Sequence, residues 1–140
     1  LATTTSNVCA LLTNGTVKCW GSNSAGQLGQ NFSSTFQLSS PPETSLTFGS
    51  GLSVKKIVGG VTHFCAITSD DNLYCWGGNN NRELGFGDAN ARFVPTLVNI
   101  GSGLTVKDVS TTSHTCVITN TDQVKCWGAN SAGQLGYGTI

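Results

Sequence analysis

Charge is scarce in this chain: only 10% of its residues are Asp, Glu, Lys or Arg, and seven acids balance seven bases. A surface with no basic excess carries no electrostatic footprint for DNA, RNA or an anionic membrane. No apolar run approaches the roughly 20 residues that cross a bilayer, and no basic segment followed by an apolar one marks a secretory leader. Methionine is absent and histidine occurs twice. Nucleophilic catalysis needs a nucleophile, a base and an orienting group, and the few acids lie mainly near turns, with no pair set for glycoside hydrolysis. Asp70-Asp71-Asn72 lacks the spacing and terminal Glu of a calcium loop. Gly85-Phe86-Gly87 lacks the lysine and the strand-to-helix setting of a phosphate-binding loop. We therefore expect no catalytic residue, no cofactor, no metal site and no enzymatic activity.

What is present is one cassette written three times. Each copy holds a cysteine pair ten residues apart followed directly by Trp-Gly: Cys9 to Cys19-Trp20-Gly21, Cys65 to Cys75-Trp76-Gly77, and Cys116 to Cys126-Trp127-Gly128. The cassette continues as Asn23-Ser-Ala-Gly26-Gln27-Leu28-Gly29, Asn79-Asn-Asn-Arg82-Glu83-Leu84-Gly85 and Asn130-Ser-Ala-Gly133-Gln134-Leu135-Gly136. A repeat of about 50 residues sets the architecture before any single side chain does.

These residues resemble the family built from regulator-of-chromosome-condensation (RCC1-type) repeats, with its Ala-Leu strand, turn, and Trp-Gly-x-Asn-x-x-Gly-Gln-Leu-Gly. The second copy adds His63 ahead of Cys65 and Pro95 after the cassette, both part of that pattern. The resemblance implies an all-β fold of propeller blades, seven in family members, of which this chain holds about three: 1–53, 54–105 and an incomplete 106–140. A blade buries its faces only against two neighbours, so three leave two raw faces. The expectation is a single RCC1-like repeat domain that is part of a longer polypeptide, or a unit that closes against copies of itself.

All six cysteines fall in the cassette at one spacing. If each pair flanks a hairpin, Cys9 faces Cys19, Leu11 faces Val17, and Asn14-Gly15 forms the turn. Opposed positions on antiparallel strands lie about 4.5 to 5.5 Å apart at Cα, within disulfide reach. We predict Cys9 with Cys19, Cys65 with Cys75, and Cys116 with Cys126, each contributing about 2 to 3 kcal/mol by the loop-entropy model. Zinc would need ligands two to four residues apart. The alternative is reduced cysteines packed as small hydrophobes. Disulfides would place the chain outside the cytosol, consistent with its Ser, Thr, Asn and Gly content and with two glycosylation sequons, Asn14-Gly-Thr16 and Asn31-Phe-Ser33.

Side chains alternate along a strand, so Trp20, Trp76 and Trp127 point away from the cysteine face and are expected to fill the space between blades. Trp20, Trp76 and Trp127 are 56 and 51 residues apart, which puts an insertion of about five residues within Gln30 to Ser53. Its Leu38, Pro41, Pro42, Leu46 and Phe48 are either a contact surface or ordinary loop packing. The segment around Pro95 reads as an edge strand. His63 and His114 hold one position of the cassette, where the first copy has Asn7; the expectation is a histidine bonded to the backbone of its own blade rather than a metal ring.

The function these features favour is a non-enzymatic, extracellular or cell-surface module, structural or for protein recognition, whose partner is a protein, either other copies of itself or the rest of a longer chain. The alternative is a secreted propeller that binds or inhibits a protein. Guanine-nucleotide exchange, the activity the resemblance brings with it, needs a cytosolic or nuclear setting that paired cysteines oppose.

Overall fold

In the computed structural model of the chain, residues 1–31 and 37–138 are described. They form ten strands in chain order: β1 (Ala2–Thr3), β2 (Asn7–Leu11), β3 (Val17–Gly21), β4 (Val54–Gly59), β5 (His63–Thr68), β6 (Leu73–Gly77), β7 (Arg92–Leu97), β8 (Val106–Thr111), β9 (His114–Thr119) and β10 (Val124–Gly128). The strands make three antiparallel sheets, β1-β2-β3, β4-β5-β6-β7 and β8-β9-β10. Each sheet is a blade. Among the described residues no helix is long and apolar enough to cross a membrane.

Every blade is built around the cassette hairpin, and its register follows from the two-residue period of a strand. Cys9 lies opposite Cys19, Cys65 opposite Cys75 and Cys116 opposite Cys126, with Leu11 on Val17 and Ile67 on Leu73. The Cα atoms of each cysteine pair are 4.1 Å apart and the sulfurs are bonded, leaving no free thiol among the described residues. The turn at Asn14-Gly15 needs Gly15 at φ 80°, and Asp71 and Asp122 hold the same place in the other hairpins at φ 63° and 61°. Asp and Asn tolerate this left-handed region better than other side chains.

β4 has strand neighbours in both flanking blades, with β1 on one side and β8 on the other. The fourth strand of the second blade, β7, carries Pro95 and pairs only with β6, so it is the edge that proline requires. Among the described residues of the first blade, the corresponding pairing is a bridge between Gly21 and Leu38.

The core lies between blades. One apolar cluster joins Cys9, Val17, Cys19 and Leu28 of the first blade to Val54, Phe64, Ala66 and Trp76 of the second. A second joins Cys65, Ile67, Leu73 and Leu84 to Val106, Val109 and Val117 of the third. The insertion packs rather than protrudes where it is described: Leu46 and Phe48 are buried, and the Phe48 ring meets Trp76 edge-on at 5.6 Å and Tyr74 at 5.8 Å. Leu38 and Pro42 are half-buried and Pro41 is exposed.

Candidate functional site

The segment after each Trp-Gly folds on itself in the same way three times. The Asn23 Oδ1 accepts from the Leu28 amide at 3.0 Å, Asn79 from Leu84 at 2.9 Å, and Asn130 from Leu135 at 3.0 Å. The side-chain oxygens of Gln27, Glu83 and Gln134 accept from the amides of Ala25, Asn81 and Ala132 at 2.8, 2.7 and 2.9 Å. The loop thus satisfies its own polar atoms and leaves one backbone carbonyl pointing outward. The Trp76 indole donates to the carbonyl of Gln27 at 3.0 Å, and the Trp127 indole to that of Glu83 at 2.9 Å. Each indole crosses from its own blade to the blade before it.

Glycine at the loop's end gives the ring its place. A Cβ on Gly29 would lie 3.0 Å from the Trp76 ring, and one on Gly85 2.7 Å from the Trp127 indole nitrogen, and both residues have positive φ. Gly136 holds the same position in the third loop, and nothing lies within 4 Å of where its Cβ would be.

The faces of each blade follow from alternation. His63, Cys65, Ile67 and Leu73 share the face that the next blade covers. Phe64, Ala66 and Trp76 share the face that covers the blade before. The first junction is therefore aromatic: Phe64 stacks on Trp76 at 5.8 Å between ring centres. The second is polar. Thr115 stands at the register of Phe64, and its hydroxyl donates to the Glu83 carbonyl at 2.7 Å while lying 3.1 Å from His63 Nε2. A hydroxyl that spends its proton on Glu83 can only accept from the ring, so His63 carries its proton on Nε2. Nδ1 is buried with no partner, and burial first, then the neighbouring His114, lowers the His63 pKa to about 4.

This corrects the expectation that the repeated histidine bonds the backbone of its own blade. His63 reaches a side chain in the next blade, 52 residues away. His114 Nδ1 lies 3.0 Å from the Thr112 hydroxyl. The position is asparagine in the first copy for a visible reason: Asn7 accepts from the Thr4 hydroxyl at 3.0 Å and donates to the Ser22 carbonyl, both in its own blade. It asks nothing of its neighbour, where Phe64 holds the register that Thr115 holds in the third blade.

On the third blade the covered face is open. Val17 is 0% exposed and Leu73 1%, whereas Val124 at the same position is 68% exposed and Ile118 is 41%. Leu46 donates its amide to the Val17 carbonyl and Val98 to that of Leu73, each at 2.8 Å, from the segment leading into the following blade. The Val124 carbonyl receives no such bond from a described residue. A shallow apolar cavity of about 250 Å³ lies here, lined by Val109, Cys116, Val117, Ile118 and Val124.

Asn14 is exposed at its hairpin tip, with its Oδ1 accepting from the Thr16 amide at 3.1 Å and hydroxyl at 2.8 Å. Asn31 is exposed at φ 59°, and Ser33 of its sequon lies outside the described residues. The acids serve locally. Asp70 is held below its usual pKa first by the Thr68 hydroxyl, and Asp108 first by a hydrogen bond from Lys56 across the second junction. Among the described residues no group of His, Cys, Asp or Glu could hold a metal ion.

The Regulator of chromosome condensation (RCC1) repeat profile matches residues 3–27, 54–83 and 109–134, and a second profile of that description matches 70–118. The human E3 ubiquitin-protein ligase HERC2 is 37% identical over 134 residues, which are 92% of this chain and 3% of that protein. The Ultraviolet-B receptor UVR8 of Arabidopsis thaliana is 31% identical over 123 residues, 87% of this chain and 27% of the receptor. Prp20p of Saccharomyces cerevisiae, a protein described with binding properties to Gsp1p and histones, superposes with a TM-score of 0.81 at 24% identity, over 99% of this chain and 34% of its own. The chain thus spans about a third or less of each of these proteins.

Proposed function

As a member of the RCC1-repeat family, this chain is a set of blades, and we propose that it is a non-enzymatic, extracellular protein-interaction module that acts as a building block of a larger propeller or surface assembly. One observation carries the reading: the docking surface used twice inside the chain is present a third time on β8-β9-β10 and is open, with Val124 68% exposed. An apolar sheet face of this kind marks an interaction site in a stable protein. Partners of relatives support a protein as the ligand class, since Prp20p is described with Gsp1p and histones. The extracellular setting rests on the bonded cysteine pair in every blade, which reducing compartments do not keep.

Electron microscopy of native, unreduced material tests the proposal. The expected result is a ring or filament in which the third blade is covered. Isolated three-blade particles, or six alkylatable thiols in protein taken from its native source, would contradict it.

A further inference from the structure

The two internal junctions treat one polar position differently, and each treatment is self-consistent. Asn7 is satisfied within its own blade, and in the next blade the apolar Phe64 stands at the register of Thr115. His63, whose Nε2 proton has no acceptor in its own blade, lies under Thr115, which supplies one. The third blade repeats the second at this point: His114 sits opposite Gly128 as His63 sits opposite Gly77, on the face shared with Cys116 and Ile118. Its Nδ1 is beside the Thr112 hydroxyl, and its Nε2 meets no partner among the described residues. The loop of that blade, residues 130–136, has the same sequence as residues 23–29, whose Gln27 carbonyl accepts an indole.

We propose that His114 is a specificity-determining residue for the blade that covers β8-β9-β10. The occupant is a further blade that brings a Ser or Thr hydroxyl to His114 Nε2 and a tryptophan indole to the Gln134 carbonyl, its ring filling the space beside Gly136. This rests on the reading of the open face as a docking surface and adds what the partner must carry. A second copy of this chain is a poor occupant. Its first blade offers Trp20 but places Val8 at the register of Phe64 and Thr115, which would bury His114 Nε2 against a methyl group with no hydroxyl to pair it. A buried donor without an acceptor is costlier than a hydrogen bond is favourable.

The chain's own third blade has both required groups and is the natural probe. A copy of residues 90–140 joined after Ile140 keeps the 51-residue spacing between Trp76 and Trp127. The expected result is slowed hydrogen exchange at Ile118 and Val124 and at the appended indole, showing that the blade docks. A double-mutant cycle then pairs His114→Ala with Thr→Val at the appended copy of Thr115. A coupling of about fivefold or more in the docking equilibrium, the effect of one net hydrogen bond, is expected. Docking with no coupling would overturn the role of His114 while leaving the docking surface intact. Failure of the appended blade to dock would overturn both. Tight head-to-tail association of the unextended chain in sedimentation, with Val8 opposite His114, would overturn the selectivity.

Discussion

To the apolar cluster at each junction the first adds aromatic stacking and the second a polar relay, though both use the same cassette and the same indole-to-carbonyl bond. Phe64 stacked on Trp76, with Phe48 against the ring edge, fills the first. Thr115, His63 and the Glu83 carbonyl add hydrogen bonds to the apolar cluster of the second. The geometry of a blade is thus set by hairpin register and loop, while the chemistry of each junction is free to vary at the register shared by Phe64 and Thr115.

The largest test of that contrast is truncation of the two tryptophans. Trp76 is 0% exposed and meets Phe48 and Phe64, so Trp76→Ala is expected to cost about 3 to 5 kcal/mol in urea unfolding. Trp127 is half-buried, and Trp127→Ala is expected to cost less. Equal losses would show that the junctions do not differ.

Between neutrality and pH 4, acid should act first through the second junction. The His63 pKa is lowered from 6.5 to about 4 in the folded chain, so the unfolded chain takes up the proton first. Stability is full above pH 6.5 and falls as the pH drops towards 4, by on the order of 3 kcal/mol from a shift of this size. Below that the folded form is protonated too and this contribution levels off. Denaturant titrations from pH 7 to 4 should show the loss in the wild type and its removal in His63→Asn. A pH profile unchanged by that substitution would place the titrating group elsewhere.

Exchange of Thr115 for Val keeps the shape and removes the hydroxyl. It leaves the His63 proton buried without an acceptor, at an expected cost of about 1 to 3 kcal/mol. At the first junction Phe64→Leu leaves every hydrogen bond of Asn7 in place, since its partners Thr4 and Ser22 lie in its own blade. The smallest effect is expected from the ion pair of Lys56 with Asp108, which crosses the second junction at the surface with both side chains about half exposed. Lys56→Ala should cost under about 1 kcal/mol and vanish in high salt.

Much of this was legible in the sequence. The cysteine spacing and the Asn14-Gly15 turn placed Cys9 on Cys19 and Leu11 on Val17, because hairpin register is a local consequence of turn position and strand period. The opposite faces of cysteine and tryptophan came from the same alternation. The partners across junctions were not legible. Nothing local says that the Gln27 carbonyl waits for an indole 49 residues on, or that His63 bonds a threonine 52 residues on. The repeat itself held a signal: aligning the copies pairs His with Thr and Asn with Phe one blade apart. Leu46 and Phe48 are buried for a related reason, since the lead-in segment covers the blade before it, a contact that periodicity does not reveal.

The central claim is that each blade docks by handing its indole proton to the loop of the blade before. Hydrogen exchange of the three indole N–H groups, followed by NMR on the chain alone, tests it most directly. Trp76 and Trp127, bonded at 3.0 and 2.9 Å, should exchange slowly, and Trp20, whose indole reaches no described acceptor, should exchange fast. A Trp20 signal as protected as the other two, or a Trp127 signal as fast as Trp20, would contradict the account.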